Sequence, residues 1–242
     1  FSGYLEAPVL GFSLVCSSPE SLLKSNGESI FTSPIKGTRP RGSHAEQEDE
    51  RRNEMIRDEK ERSEHRMLVD LMRNDISAVS KVGSVQVERF DVEAYAQVQH
   101  LVSQISGVLD EDSTGLDALQ AVFPGGSITG CPRTVVCAAI DELEQRPRSF
   151  WTGSIGWVDI TSGACSWNIL IRTLIARKQR YQCYGSIAAG VGITIGSNPN
   201  AEVEEAKWQA NALRNACGWI DGERSPLHIG KLAIRQLQVA AM

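Results

Sequence analysis

Two short stretches of the sequence carry the same arrangement of acids. EKERSEHRMLVDL holds Glu61 and Glu64, and NPNAEVEEAKWQ holds Glu202 and Glu205. Residues three apart on a helix share a face, so each pair sets two carboxylates one turn from each other. Like charges that close repel unless a cation lies between them. Two such pairs facing each other would form an oxygen-rich site of the kind that suits Mg²⁺. Spacing alone favours the plainer alternative, two solvated faces among many charges.

Other residues gain meaning only in company. Lys36, in SPIKGTRPRG, stands where a strand end reads as running into a Gly/Pro turn; it is either ordinary turn solvation or a positioned amine. FPGGSITGCPR, Phe123 to Arg133, sets a Gly-Gly turn, Ser127 and Thr129 ahead of a helix start. Backbone N–H groups and hydroxyls in that setting make an anion cradle; a tight loop that uses Gly for positive φ is the alternative. The stretch lacks the phosphate-loop pattern GxxxxGK[ST] and does not match GxGxxG, which argues against a nucleotide. His100 in VQHLVS reads as a core histidine bonded to backbone. Arg172 in NILIRTL interrupts an apolar strand and needs a carboxylate, from the protein or from a ligand. Tyr184 and the glycines of AAGVGI indicate close backbone approach or a bulge.

The elements that must position these residues are legible in outline. GFSLVCSS and GESIFTSPIK read as strands separated by the turn signal KSNGE. The charged run after Arg41 flows into MLVDLM and reads as one long helix from about Glu48 to Asn74. VQVERFDVEAY and VQHLVSQISGVL read as strands. STGLDALQAVFPGGSITGCPRTVVCAAIDELE reads as a helix, a Gly-rich turn and a second helix. FWTGSIGWVDI, CSWNILIRTLIA and RYQCYGSIAAGVGI read as strands, and a last helix spans about Ala201 to Arg214. Strands in runs with few helices between them indicate an α+β layout with antiparallel or mixed sheets.

Composition narrows the class. The chain has 242 residues, 41% hydrophobic and 23% charged, a profile able to bury a substantial core. A net charge of -5 removes the electrostatic reason to expect nucleic acid. Cys16, Cys131, Cys137, Cys165, Cys183 and Cys217 form no CxxC pair, so they are expected to be mostly buried, reduced thiols in a cytoplasmic protein. No apolar run reaches the roughly 18 residues that span a membrane. The chain begins without Met in a strand-like run, which suggests a fragment or a processed chain.

Taken in order, SPE, PIKGTRPRG, EHRMLVDLMRND, HLVS, FPGGSITGCPR, GSIGW, IRT and GVGI…SNPNAEVEE closely resemble the chorismate-utilising enzymes, among them anthranilate, aminodeoxychorismate, isochorismate and salicylate synthases. The resemblance implies a layered α/β/β/α sandwich with large mixed or antiparallel sheets, formed by residues 1–242 as one catalytic domain. Members run to about twice this length, so the sandwich is expected to be incomplete. On the same resemblance Glu64 and Glu205 match Mg²⁺ ligands, with Glu61 and Glu202 as supporting carboxylates. Gly126, Ser127 and Thr129 match the turn that holds the ring carboxylate of chorismate, and Arg172 and Gly190 match groups that hold the enolpyruvyl carboxylate. His100 matches a catalytic position.

Within the family, PIKGT resembles aminodeoxychorismate synthase component I, whereas anthranilate synthases have Ala in place of the lysine. The resemblance implies that Lys36 adds to ring C2 as the C4 hydroxyl leaves, after which ammonia from a glutamine amidotransferase partner enters C4. A nucleophilic lysine must be neutral, so Lys36 is expected to be desolvated or near Mg²⁺. Glu20 of SPE matches the general acid/base. The chain departs from the family pattern at Gln209, where Lys is usual, at Trp157, often Tyr, and at Arg133, usually Lys. The alternatives are anthranilate or isochorismate synthesis on the same scaffold, or a non-catalytic fragment.

Overall fold

A computed structural model describes residues 1–95, 98–179 and 182–217. Residues 218–242 lie outside the described residues. The chain opens with β1 (Ser2–Ala7), β2 (Phe12–Ser17), β3 (Ser21–Asn26), β4 (Ser29–Ser33) and β5 (Ile35–Pro40). Helices α1 (Ala45–Arg57) and α2 (Glu59–Ser77) follow, then β6 (Gln86–Ala94) and β7 (Val98–Val108). Three helices come next, α3 (Gly115–Val122), α4 (Gly126–Thr129) and α5 (Arg133–Glu144). Strands β8 (Gly156–Val158), β9 (Ala164–Asn168), β10 (Thr173–Gln179) and β11 (Gln182–Ile187) lead to α6 (Pro199–Ala216).

The chain divides into two compact units. One comprises Glu20–Cys131 and Gly156–Asn168. In its sheet β7 pairs β4, β5 and β6, and the order continues from β4 through β3 and β9 to β8. Every pairing in it is antiparallel. Both β4 and β5 lie along β7, β4 against Ile105–Val108 and β5 against Val98–Val102, interrupted only at Pro34. Proline cannot donate to the ladder, but its carbonyl accepts from Ser103 N. Leu23, Ile30, Leu101 and Ile105 of the sheet, Met72 and Ile76 of α2, and Ala118 and Val122 of α3 are buried. Burial of each large aliphatic side chain there contributes about 1.5–3 kcal/mol.

The other unit comprises Phe1–Pro19, Pro132–Ile155 and the chain from Ile169 onward. Its sheet runs β1-β2-β10-β11, again all antiparallel. Leu14, Cys16, Leu170 and Ile175 form one core cluster beside Phe12 and Phe150. Ile187 and Ala189 pack with Ala210 of α6 in a second.

The α+β expectation with antiparallel sheets holds, and four local expectations are corrected. The long charged helix is two helices: Asp58 has an extended backbone, ends α1, and its side chain accepts from Glu61 N to start α2. CSWNILIRTLIA is two strands in different sheets, β9 and β10, and Arg172 lies between them at φ 48. The Gly-rich turn contains one helical turn, α4. The turn expected after Lys36 is a continuation of strand: β5 runs to Pro40, with a register shift between Lys36 and Thr38 where Gly37 takes φ 70. That bulge needs glycine for its left-handed backbone.

The cysteine expectation also changes. Among the described cysteines, Cys16 and Cys165 are buried, Cys137 and Cys217 are half-buried and Cys131 is exposed; all are free thiols.

Gly126 fits α4 against α2. A Cβ there would overlap the Leu71 side chain and stand 3.0 Å from Met72 Cε. Overpacking of this kind costs about 1–3 kcal/mol. Gly126→Ala should therefore lower the melting temperature by roughly 2–4 °C per kcal/mol lost, measurable by thermal denaturation; an unchanged melting point would show that Leu71 moves aside freely.

Candidate active site

Glu20, Glu61, Glu64 and His100, all singled out by the sequence, lie around Lys36 and the bulge beside it. The bulge at Gly37 re-aims the side chains of β5, and Lys36 Nζ lies 3.1 Å from Glu64 Oε2 of α2. Gly37 itself approaches the other carboxylate of the pair, since a Cβ there would stand 3.1 Å from Glu61 Oε2. Arg39, two residues further along β5, reaches Glu61 Oε1 at 3.5 Å and Asp58 Oδ2 at 3.3 Å. The short segment from Lys36 to Arg39 thus sets two cations against the two carboxylates of α2. Burial pushes the Glu61 carboxyl above its ordinary range, against the pull of Arg39 and Lys36.

Glu20 precedes β3 and is buried, 8% exposed. Burial raises its pKa to about 7, although the Ser127 hydroxyl and the Lys36 charge both favour the ionised form. Ser127 Oγ donates to Glu20 Oε1 at 2.5 Å. Sequence reasoning missed this contact, because the two residues are 107 positions apart and neither motif mentions the other. A carboxyl poised near neutrality beside a lysine is suited to proton transfer at physiological pH.

The hydroxyls of the Gly-rich segment are engaged by the protein itself. Ser127 turns to Glu20, and Thr129 Oγ1 donates to Gly125 O at 3.2 Å within its own turn. His100 is buried in β7, with Nδ1 2.9 Å from Gly37 O and 3.2 Å from Thr38 Oγ1. This is the backbone-bonded core histidine that the sequence favoured, and it bonds to the bulge beside Lys36. His65, which the sequence did not single out, is fully buried next to Glu64 in the chain. Its Nε2 lies 2.7 Å from Ser103 Oγ, and burial, with the Lys36 charge, pushes its pKa down to about 4. The apolar spacing of His65, Met72 and Ile76 on α2 was the available signal.

The remaining sites lie in the other unit. Arg172 is half-buried, and burial lowers its pKa. Gly190 follows β11 in irregular chain. On α6, Glu202 is buried and Glu205 is exposed. Gln209 Nε2, one of the departures from the family pattern, donates to Glu205 Oε1 at 3.1 Å.

Magnesium suits the carboxylates of α2 by donor chemistry. Mg²⁺ takes hard oxygen ligands, commonly one or two carboxylates with waters and substrate oxygens completing the shell. Glu61 and Glu64 are two such groups one helical turn apart, and both already face cationic side chains. Among the described residues no group of three His, Cys, Asp or Glu side chains forms a ready metal cage.

Comparison with known proteins decides the family. Residues 1–215 match the family described as chorismate binding enzyme. The chain belongs to the chorismate-binding enzyme family. This family member is 43% identical to anthranilate synthase component 1 1 of Haloarcula marismortui over 94% of its own length, and 42% identical to aminodeoxychorismate synthase component 1 of Bacillus subtilis over 89%. It spans 45% of the length of each, so it covers about half of the curated relatives it matches. The crystal structure of anthranilate synthase component I from Streptococcus pneumoniae superposes with a TM-score of 0.74 at 32% identity, covering 88% of this chain and 46% of that one. A menaquinone-specific isochorismate synthase from Escherichia coli shares the fold, with a TM-score of 0.70 at 22% identity over 84% of this chain and 46% of that one. Among the described residues no helix is long and apolar enough to cross a membrane.

Proposed function

We propose that this family member acts as an aminodeoxychorismate synthase component I, converting chorismate and ammonia to 4-amino-4-deoxychorismate for para-aminobenzoate and folate synthesis. The observation that carries this reading is the placement of Lys36 beside Glu64, with its charge acting on the buried Glu20. Lys36 Nζ, as the neutral amine, adds to ring C2 while the ring double bonds shift and the C4 hydroxyl departs. Glu20 gives that hydroxyl its proton, so water leaves. Ammonia then bonds to C4 as the C2–Nζ bond breaks, and Lys36 is restored. Hydroxide is a poor leaving group, which is why a carboxyl held protonated by burial matters here. His100 and Ser127 hold the bulge and Glu20 in place. Glu61 and Glu64 are the α2 carboxylates that would hold Mg²⁺; the assignment of Glu202 and Glu205 as metal carboxylates, and of Gly126, Thr129, Arg172 and Gly190 to the substrate carboxylates, rests on the motifs. When bound, Mg²⁺ would neutralise negative charge that develops as the ring loses its substituent.

The component 1 names of the relatives support a separate glutamine amidotransferase as the ammonia source. The family match runs through both units, which supports one chorismate-binding domain. Free thiols among the described cysteines support a cytoplasmic location. Because anthranilate synthases are as similar as the aminodeoxychorismate synthase, synthesis of the 2-amino product is the competing reading. Incubation with chorismate, Mg²⁺ and ammonium salts, followed by product identification, separates them: the 4-amino product is expected, and a C2-amino or C2-hydroxy product overturns the proposal.

A further inference from the structure

The pairing of Lys36 with Glu64 constrains both of the roles assigned to them. Nζ lies 3.1 Å from Oε2, and the two side chains are only 27% and 12% exposed. A lysine that donates to a carboxylate does so as the ammonium, which has no lone pair with which to attack carbon. A divalent cation on Glu64 would stand within a few ångströms of that ammonium, and in a partly desolvated site the two would repel strongly. A second cation near Glu64 is in a different position: Lys60 approaches Oε1 at 3.9 Å with half of its side chain exposed, where solvent weakens its hold. Lys36 is also anchored differently. It leaves the strand beside a bulge fixed by Gly37, whose carbonyl oxygen lies 2.9 Å from His100 Nδ1. Its flexible stem can still swing away, and its charge already acts on Glu20, Glu61 and His65.

We propose that Lys36 and the divalent cation compete for Glu64, so that metal binding displaces Lys36 from its ion pair and makes the lysine available only in the loaded site. The proposal rests on the reading that Glu64 holds Mg²⁺. It makes the nucleophile a brake on metal binding and the metal the release of the nucleophile. A chain of this kind would keep Lys36 paired until the ion that also organises the substrate is in place.

Calorimetric titration of the purified chain with Mg²⁺ tests this without any turnover. Lys36→Met, which keeps an aliphatic stem, is expected to bind Mg²⁺ about tenfold more tightly than the parent, a change worth about 1.4 kcal/mol. Lys36→Arg, which keeps the charge, should stay near the parent, and Lys60→Met should shift affinity by less than about threefold. Glu64→Gln should weaken binding and cancel the gain of Lys36→Met when the two are combined. Equal or weaker affinity in Lys36→Met, with Glu64→Gln still impaired, would overturn the competition and leave the metal reading standing. Parent-like affinity in Glu64→Gln would overturn the metal reading and the competition with it, as would absence of Mg²⁺ binding in every variant.

Discussion

Lys36→Ala is expected to abolish the 4-amino product, with a loss of about a thousandfold or more in its rate of formation, of the order that removal of a covalent nucleophile costs. The substitution removes the only atom that the proposed route bonds to C2. Without it, ammonia or water can reach C2 directly, so residual turnover should yield a C2-substituted product. Intact-mass analysis of the parent during turnover should reveal a substrate adduct that trypsin fragments locate on Lys36, and the variant should show none. Misfolding is an inadequate explanation for such a loss, because Lys36 is about a quarter exposed and its ion pair with Glu64 is itself partly open to solvent. A partly exposed pair contributes about 1 kcal/mol or less, so the melting temperature should move by no more than a few degrees. Undiminished 4-amino product in Lys36→Ala would remove the basis on which this reaction was chosen over the 2-amino one.

The parts of this site that could be read in the sequence are those set by short-range periodicity. Glu61 and Glu64 are three residues apart on a helix, and a helix was expected there, so their shared face followed at once. The break at Asp58 did not follow, because a uniform run of charges conceals where one helix stops; only the backbone at Asp58 and its bond to Glu61 N reveal it. Lys36 was singled out by its motif, but its setting was misread. A Lys-Gly-Thr-Arg-Pro string looks like a turn, whereas pairing with β7 makes it a strand, and the glycine supplies a bulge that directs Lys36 and Arg39 to α2. Arg172 shows the converse. Continuous apolar character through CSWNILIRTLIA hid a change of sheet, and nothing local marks a non-glycine residue for φ 48. The contact of Ser127 with Glu20 depends on tertiary packing between residues far apart in the chain. The resemblance to a family could name both residues, but it assigned them separate tasks.

Glu20→Gln should give a more stable and nearly inactive protein, and the combination is diagnostic. Burial raises the Glu20 pKa from 4.5 to about 7, so the folded chain retains a proton that the unfolded chain releases at lower pH. Its contribution is therefore fully present below pH 4.5 and is lost as the pH rises to about 7, above which the folded state must hold a buried carboxylate. At about 1.4 kcal/mol per pKa unit, the loss amounts to about 3 kcal/mol. Glutamine is neutral at every pH and its amide oxygen can still accept from Ser127, so the variant escapes that loss. Thermal melts should show the two proteins alike near pH 4.5 and the variant higher by roughly 6–12 °C at pH 8. In turnover the effect runs the other way. The parent should lose kcat/KM above about pH 7, as Glu20 gives up the proton that the departing hydroxyl needs, while the variant should be lower by at least about a hundredfold with that pH limb absent. A variant no more stable than the parent at pH 8 would show that Glu20 is not held protonated by burial; full activity in it would take the proton of the leaving group from elsewhere. Only a carboxyl kept neutral at a cost to the fold, and used for that neutrality in the reaction, predicts both shifts at once.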